Sequence, residues 1–284
     1  MEFRDKLSTG RFVYTAELFP PKGTDLGRLK EKAAMIRGIV DAVNVTDNQR
    51  AVMRIAGIAV ARTLLDLGIE PVYQLTCRDR NRLALQSDLL AASVLGVRNV
   101  LLLSGDHPSL GDHKDAMPVY DLDTVQLISA ASGLNRGRDM NDKQLKGGTD
   151  FLIGAVVNPN LEPVELQLMM MEKKAAAGAR FFQSQVCLDM DRVAVFAKKA
   201  RELGVKILAS VSLFSSVSMM DQFRRLGVLV PDSVFDRIRA ASAPLEESIR
   251  VSAELIAGLR ETTDGVHIIA INIEENIPSI FKLL

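Results

Sequence analysis

Eight apolar runs of strand length recur along the chain, at 12 to 18, 41 to 46, 71 to 76, 99 to 104, 151 to 157, 180 to 186, 206 to 212 and 266 to 272. Between them lie segments of helical spacing and composition, such as 26 to 40, 52 to 67, 82 to 95 and 165 to 177, several of which run out into a glycine (Gly68, Gly96, Gly178, Gly204). Strands that alternate with helices must all point the same way, because each crossover returns the chain to the end where the previous strand began. Eight such units in 284 residues match the size of a closed (β/α)8 barrel, an α/β TIM barrel. The alternative, an open doubly wound sheet, needs a Gly-x-Gly-x-x-Gly turn after its first strand, and here that turn reads Phe19-Pro-Pro-Lys-Gly. One barrel domain over residues 1–284 is expected.

Apolar residues make up 48% of the chain, enough for the large core that such a barrel needs. Thirty-five basic and thirty-five acidic residues cancel without forming blocks, so neither a nucleic acid nor a membrane surface is an expected partner. The opening Met1-Glu-Phe-Arg-Asp-Lys has no apolar core of a signal peptide, and no apolar run reaches the roughly 18 residues of a membrane span. A cytoplasmic protein acting on a small molecule is expected. Its two cysteines, Cys77 and Cys187, allow no disulfide framework and no Cys-x-x-Cys site, and read as small buried hydrophobes.

Active sites in this fold gather where the strands end, so the strand-end residues are candidates for its lining. They are Glu17, Thr46-Asp47-Asn48, Gln74 with Thr76-Cys77, Gly105-Asp106-His107, Asn158, Gln185, Ser210 with Ser212, and Asn272. Few are carboxylates and most are neutral hydrogen-bonding groups, which suits a heteroaromatic ligand rich in donors and acceptors. Glu17 reads either as a general acid desolvated by apolar neighbours such as Phe19 or as a carboxylate paired with a nearby lysine or arginine. Asp106 reads as a ligand contact after a close-approach glycine, or as a turn residue. Gly-Asp-His occurs twice, at 105 to 107 and 111 to 113, but adjacent Asp and His rarely reach one ion and no metal is expected. His267 is expected to be a hydrogen-bonded barrel residue, and Met169 to Met171 core packing. The stretches from His107 to Tyr120 and from Asn135 to Gly148 are long loops of the kind that wall a site.

The segments Thr15-Ala-Glu17-Leu-Phe-Pro-Pro21, Asn44-Val-Thr46-Asp-Asn, Gln74-Leu-Thr76-Cys77, Ser104-Gly-Asp106, Tyr120-Asp-Leu-Asp123, Lys173-Lys174 and Ser184-Gln185 resemble, in order, the methylenetetrahydrofolate reductases. That resemblance implies a flavin-binding barrel that reduces 5,10-methylenetetrahydrofolate to 5-methyltetrahydrofolate in one-carbon metabolism. It implies that Glu17 is the acid that protonates the folate N10, that Asp106 lies near both pterin and flavin, and that Gln185 hydrogen-bonds the pterin. By the same likeness Thr46, Gln74, Ser104, Gly105, Tyr120, Asn158 and Lys174 line the cofactor, Lys174 being suited to a phosphate.

Departures from the pattern shape the remaining expectations. Gln74, Ser104 and Gln167 stand where better-known bacterial members carry histidine, arginine and aspartate, so FAD is expected with FMN as the alternative. Ala209-Ser210 and Val217 replace a Pro-Gly and an aromatic residue on which a nicotinamide dinucleotide folds. The donor is then NAD(P)H or a companion subunit. Some relatives, including those of acetogenic bacteria, work beside a zinc or iron-sulfur protein, whereas this chain has too few cysteines to hold a cluster itself. A homo-oligomer or such a complex is expected. Two further readings stay open, a flavin-free pterin-binding methyltransferase barrel and a flavin subunit inactive with NADH alone.

Overall fold

The computed structural model describes residues 2–284. Eight parallel strands, β1 (Val13–Leu18), β2 (Ala42–Val45), β3 (Pro71–Thr76), β4 (Asn99–Leu103), β5 (Leu152–Val157), β6 (Phe181–Val186), β7 (Lys206–Ser212) and β8 (Gly265–Ile269), pair in sequence order. The barrel closes where β1 pairs with β8, Thr15 opposite His267. This is the (β/α)8 barrel that the alternation of runs predicts, each strand within a few residues of its expected place.

A short helix α1 (Phe3–Ser8) precedes the barrel, and α2 (Gly27–Ile36), α3 (Gly57–Asp66), α4 (Arg82–Val94), α5 (Thr124–Asn135), α6 (Val164–Ala177) and α7 (Met190–Leu203) follow β1 to β6. Between β7 and β8 the chain forms α8 (Val217–Arg225), α9 (Asp232–Ala240) and α10 (Pro244–Leu259), and α11 (Ile277–Phe281) ends it. Helix α3 begins five residues later than the periodicity of 52 to 67 suggests. Asn48, Arg50 and Ala51 take left-handed backbone, with φ of 45°, 57° and 55°, and Val52 and Ala56 beyond them have non-helical ψ of 124° and 129°, so the helix begins only at Gly57. The strand expected at 266 to 272 stops at Ile269 because a turn follows, in which the Ile273 N–H donates to the Ala270 carbonyl at 3.1 Å and Asn272 has φ of 60°.

The main core lies between the barrel and its helices, where both faces of each strand are covered and the strands read as continuous apolar runs. A second cluster closes the N-terminal end of the barrel: Phe3 and Leu7 of α1 pack on Val13, Val72 and Phe181, with the Phe3 and Phe181 rings edge-to-face at 5.8 Å. Phe181 fits because Gly154 stands beside it; a Cβ there would sit 2.2 Å from the ring. With this end plugged, only the C-terminal end offers access to the interior. In α6 Met171 is fully buried but Met169 is 41% exposed, so the methionine group is not all core. Two residues of helix turn through about 200°, which places Met169 on the far face.

Candidate active site

The strand ends surround a cavity of about 420 Å³. At its wall, Glu17 of β1 is 5% exposed. Its carboxylate accepts from Gln74 Nε2 at 3.3 Å and Gln49 Nε2 at 3.5 Å, and His267 Nε2 lies 3.7 Å away. Among the described residues no lysine or arginine forms an ion pair with it. The ion-paired reading of Glu17 therefore fails, while Phe19, the neighbour expected to desolvate it, lines an adjoining hollow instead.

Charge on the β2 to β4 side is held in fixed pairs. Asp47 accepts from the backbone N–H and hydroxyl of Thr76 at 2.9 and 2.8 Å and from Arg80 at 2.8 Å, which locks the end of β2 to that of β3. Arg78, only 2% exposed, makes two 2.7 Å bonds to Asp79 and donates to the carbonyls of Asp106 and Asp47 at 3.3 and 3.4 Å. Burial opposes charge on Asp79, yet the hydrogen bonds from Arg78 prevail and hold its carboxyl below the usual range. Beside them Gly105 takes φ of 84°, and a Cβ there would meet Thr76 Cβ at 3.0 Å. That residue brings Asp106 to the cavity, its carboxylate unpaired among the described residues.

The β5 and β6 side is built by an irregularity. Gln183 pairs with Leu208 and Val186 with Ser210, three steps along β6 against two along β7. The extra residue breaks the in-and-out alternation, so Gln183, Ser184 and Gln185 all line the cavity. Ser184 Oγ accepts from the Ser210 N–H at 2.9 Å, and Gln183 Oε1 accepts from Asn44 Nδ2 across the barrel at 2.8 Å. Lys174 donates from Nζ to the Val156 carbonyl at 2.7 Å, and burial pushes its pKa down. Thr46 Oγ1 is buried without a hydrogen-bond partner.

A second hollow of about 640 Å³ adjoins the first, and Gln49 and Arg50 line both. Apolar Leu18, Phe19 and Ile271 wall it. Lys32 is neutralised by Glu274 at 2.5 Å, whereas Arg28 and Arg50 form no ion pair among the described residues.

Of the residues singled out from sequence, Glu17, Thr46, Asp47, Gln74, Thr76, Ser104, Gly105, Asp106, Asn158, Lys174 and Gln185 line the first cavity, Asn272 lines the second hollow, and Asn48, Cys77, His107, Ser210 and Ser212 line neither. Nor does Tyr120: it is 37% exposed, and its hydroxyl donates to the Gly105 carbonyl at 3.0 Å, bracing the loop from behind. Gln183 and Arg78 were missed. Gln183, two residues before Gln185 and so on the same face of the strand, was passed over because only the strand-end residues were read, and Arg78 looks like one of a charged run, Arg78-Asp-Arg80, with no sign of burial. The two Gly-Asp-His segments separate, with His107 bound to Ser109 and His113 to Asp112, and no group of three or more possible metal ligands gathers among the described residues. Cys77 and Cys187 are both buried and free. No helix among the described residues is long and apolar enough to cross a membrane.

Fold and site together define a (β/α)8-barrel protein with a small-molecule cavity at the strand ends, one buried uncompensated carboxylate, and a wall of amides and hydroxyls. Solved structures of similar fold include a protein from Clostridium thermocellum that binds two copies of 5-methyl-5,6,7,8-tetrahydrofolic acid, with a TM-score of 0.66 and 15% identity over 99% of this chain and 96% of that one. The EDTA monooxygenase of Chelativorans sp. BNC1 follows with a TM-score of 0.55 and 9% identity, covering 96% of this chain and 94% of that one. At such identities these likenesses establish the fold alone. The family model described as methylenetetrahydrofolate reductase matches residues 2–284, and the chain belongs to that family. Methylenetetrahydrofolate reductase 2 of Schizosaccharomyces pombe is 23% identical over 309 residues, 98% of this chain and 46% of the relative. The probable methylenetetrahydrofolate reductase (NADPH) of Caenorhabditis elegans is 22% identical over 242 residues, 80% of this chain and 34% of the relative. The chain thus spans less than half the length of these curated relatives.

Proposed function

We propose that this chain reduces 5,10-methylenetetrahydrofolate to 5-methyltetrahydrofolate, with Glu17 as the general acid. The observation that carries the reading is the buried Glu17 carboxyl, opposed by no cation and touched only by amides and an imidazole, at the wall of an otherwise amide-lined cavity. As general acid, Glu17 delivers a proton to N10 of the substrate as the bond between N10 and the one-carbon unit breaks, opening the five-membered ring. Gln185, whose amide is not used within the chain, offers a donor and an acceptor to the pterin, and Asp106 accepts from a ring N–H.

The cavity fits a flavin: Thr46 carries a buried hydroxyl with no partner, and the Gly105 backbone permits close approach. Thr46, Gln74, Ser104, Gly105, Asn158 and Lys174 would hold it, with FAD preferred and FMN as the alternative. When bound, the flavin supplies the hydride for the one-carbon unit. The glutamate carboxylates of the folate extend toward Arg50 and Arg28 in the adjoining hollow. The electron donor is NAD(P)H or a companion redox subunit, since Val217 gives a nicotinamide no aromatic surface.

The test is the visible spectrum of the purified protein, followed anaerobically. Dithionite-reduced flavin that is reoxidised by methylenetetrahydrofolate supports the reading, and bleaching by NADH would identify a direct donor. A colourless protein that takes up no flavin would overturn it in favour of a pterin-binding transferase.

A further inference from the structure

The second Gly-Asp-His, at 111 to 113, is not part of the first cavity, yet it presses on the turn that joins the two hollows. That turn, Gln49–Ala51, carries Gln49 to the Glu17 carboxylate at 3.5 Å and puts Arg50 where both hollows are lined. It is strained: Asn48, Arg50 and Ala51 hold left-handed backbone, with no glycine from 48 to 53 to relieve them. Such a conformation persists only where its surroundings impose it, because these residues left alone return to the right-handed or extended regions, and Arg50 swings away with them.

We infer that Gly111 and Asp112 are positioning residues, a clip from the loop after β4 that holds the turn at 49 to 51 in its strained form and so sets the affinity for the folate tail; the link to the tail rests on the proposed placing of the folate glutamate at Arg50. Gly111 has φ of −99° and extended backbone, which any residue adopts, so its smallness serves space: a Cβ would lie 1.8 Å from the Ala51 carbonyl oxygen and 2.9 Å from Ala51 Cβ. Just beyond the turn, Asp112 Oδ1 accepts from the Met53 N–H at 3.0 Å, and Oδ2 accepts from Lys22 Nζ of the loop after β1. His113 Nδ1, 2.9 Å from Oδ1, steadies the carboxylate from its own loop. Three strand-end loops, those after β1, β2 and β4, therefore meet at one carboxylate.

The remaining ties hold only the ends of the segment. Asn48 Oδ1 accepts from the Arg54 N–H at 3.0 Å, Arg54 Nη1 donates to the Pro20 carbonyl at 2.9 Å, and the Ile55 N–H donates to the Pro21 carbonyl at 3.0 Å. Between those ends, the hydrogen bonds that reach residues 49 to 53 from other elements, among the described residues, are those of Gln49 to Glu17 and of Met53 to Asp112. An exposed lysine–aspartate pair such as Lys22 with Asp112 is worth little in itself. What the clip supplies is the Met53 bond and the face of Gly111 against Ala51.

Hydrogen exchange read by mass spectrometry tests the clip without any folate. In Asp112→Ala the amides of residues 49 to 53 are expected to exchange about tenfold or more faster than in wild type, with the barrel strands unchanged. The consequence for binding is read by a double-mutant cycle on KM for methylenetetrahydrofolate. Asp112→Ala is expected to raise KM by about tenfold at nearly constant kcat, as is Arg50→Ala, and to add less than about twofold in an Arg50→Ala background, since the clip acts through Arg50. Asp112→Asn, which still offers an oxygen to the Met53 N–H, is expected to stay within several-fold of wild type. Gly111→Ala, whose methyl group meets the Ala51 carbonyl, is expected to match Asp112→Ala, and the exposed Asp112 carries the test where Gly111→Ala does not fold. Unchanged exchange at 49 to 53 in Asp112→Ala, or losses in Asp112→Ala and Arg50→Ala that multiply when combined, would overturn the inference. A wild-type protein that reduces no folate, with exchange at 49 to 53 still faster in Asp112→Ala, would instead overturn the proposed reaction and leave the clip standing.

Discussion

Glu17 is the residue on which the chemistry turns. Glu17→Gln keeps the side-chain volume and removes the proton donor, so folate-dependent reoxidation of reduced flavin should slow by about 10²-fold or more, while flavin spectrum and folate affinity persist. Stopped-flow absorbance would measure it. Arg50 has a different expected signature. It lies where the two hollows meet and forms no ion pair, so Arg50→Ala should raise KM for a folate with a glutamate tail by about tenfold or more at nearly constant kcat, the mark of lost uniform binding. The thiols are expected to be silent. Burial, and then the nearby charge of Asp123, push Cys77 up to about 12, and burial pushes Cys187 up to about 11. A thiol reagent at pH 8 should therefore titrate neither in the native protein and both after unfolding.

The elements show how such residues are kept in place. Helix α5 starts in a capping box in which Asp123 accepts from Gln126 N at 2.7 Å and Gln126 Oε1 accepts from Asp123 N at 3.0 Å. Losing that cap in Asp123→Ala should cost about 1 kcal/mol in denaturant unfolding. Just before it, Asp121 accepts from the backbone N–H, Nε and Nη2 of Arg82 at 2.8 to 2.9 Å, tying the long loop to the start of α4. Those hydrogen bonds hold the Asp121 carboxyl down at about 2. A carboxyl depressed on folding stabilises above its unfolded value of about 4 and loses that contribution as pH falls through its folded value. Hydrogen exchange in the loop should accordingly speed up between about pH 4 and 2.

At the scale of the whole molecule, one end of the barrel is sealed and the other open. Phe3→Ala would empty the plug beneath Phe181 and should cost about 3 to 5 kcal/mol without touching the cavity, seen as a lower Tm with unchanged flavin and folate affinity. The eight-fold alternation of runs, their glycine exits and the residue at each strand end were enough to determine the barrel and most of the site lining, because a parallel barrel brings every strand end to one rim. Tyr120, a loop residue assigned to the cofactor only through the resemblance, shows the limit of that reading, because the direction of a loop side chain depends on what the loop packs against. Ser184 joins Gln183 and Gln185 at the cavity only through an extra residue in β6, which depends on the pairing of β6 with β7 and has no mark in the local pattern. The three helices between β7 and β8 were likewise missed, since the strand periodicity says nothing of how a long crossover packs. Sequence alone thus determined the fold and the chemical character of the rim, both set by local periodicity and residue type. Only the tertiary structure decided that Glu17 has no cation, that Arg78 is buried, and that His267 from the last strand faces the carboxylate of the first, because contacts between residues 250 positions apart exist only once the barrel has closed.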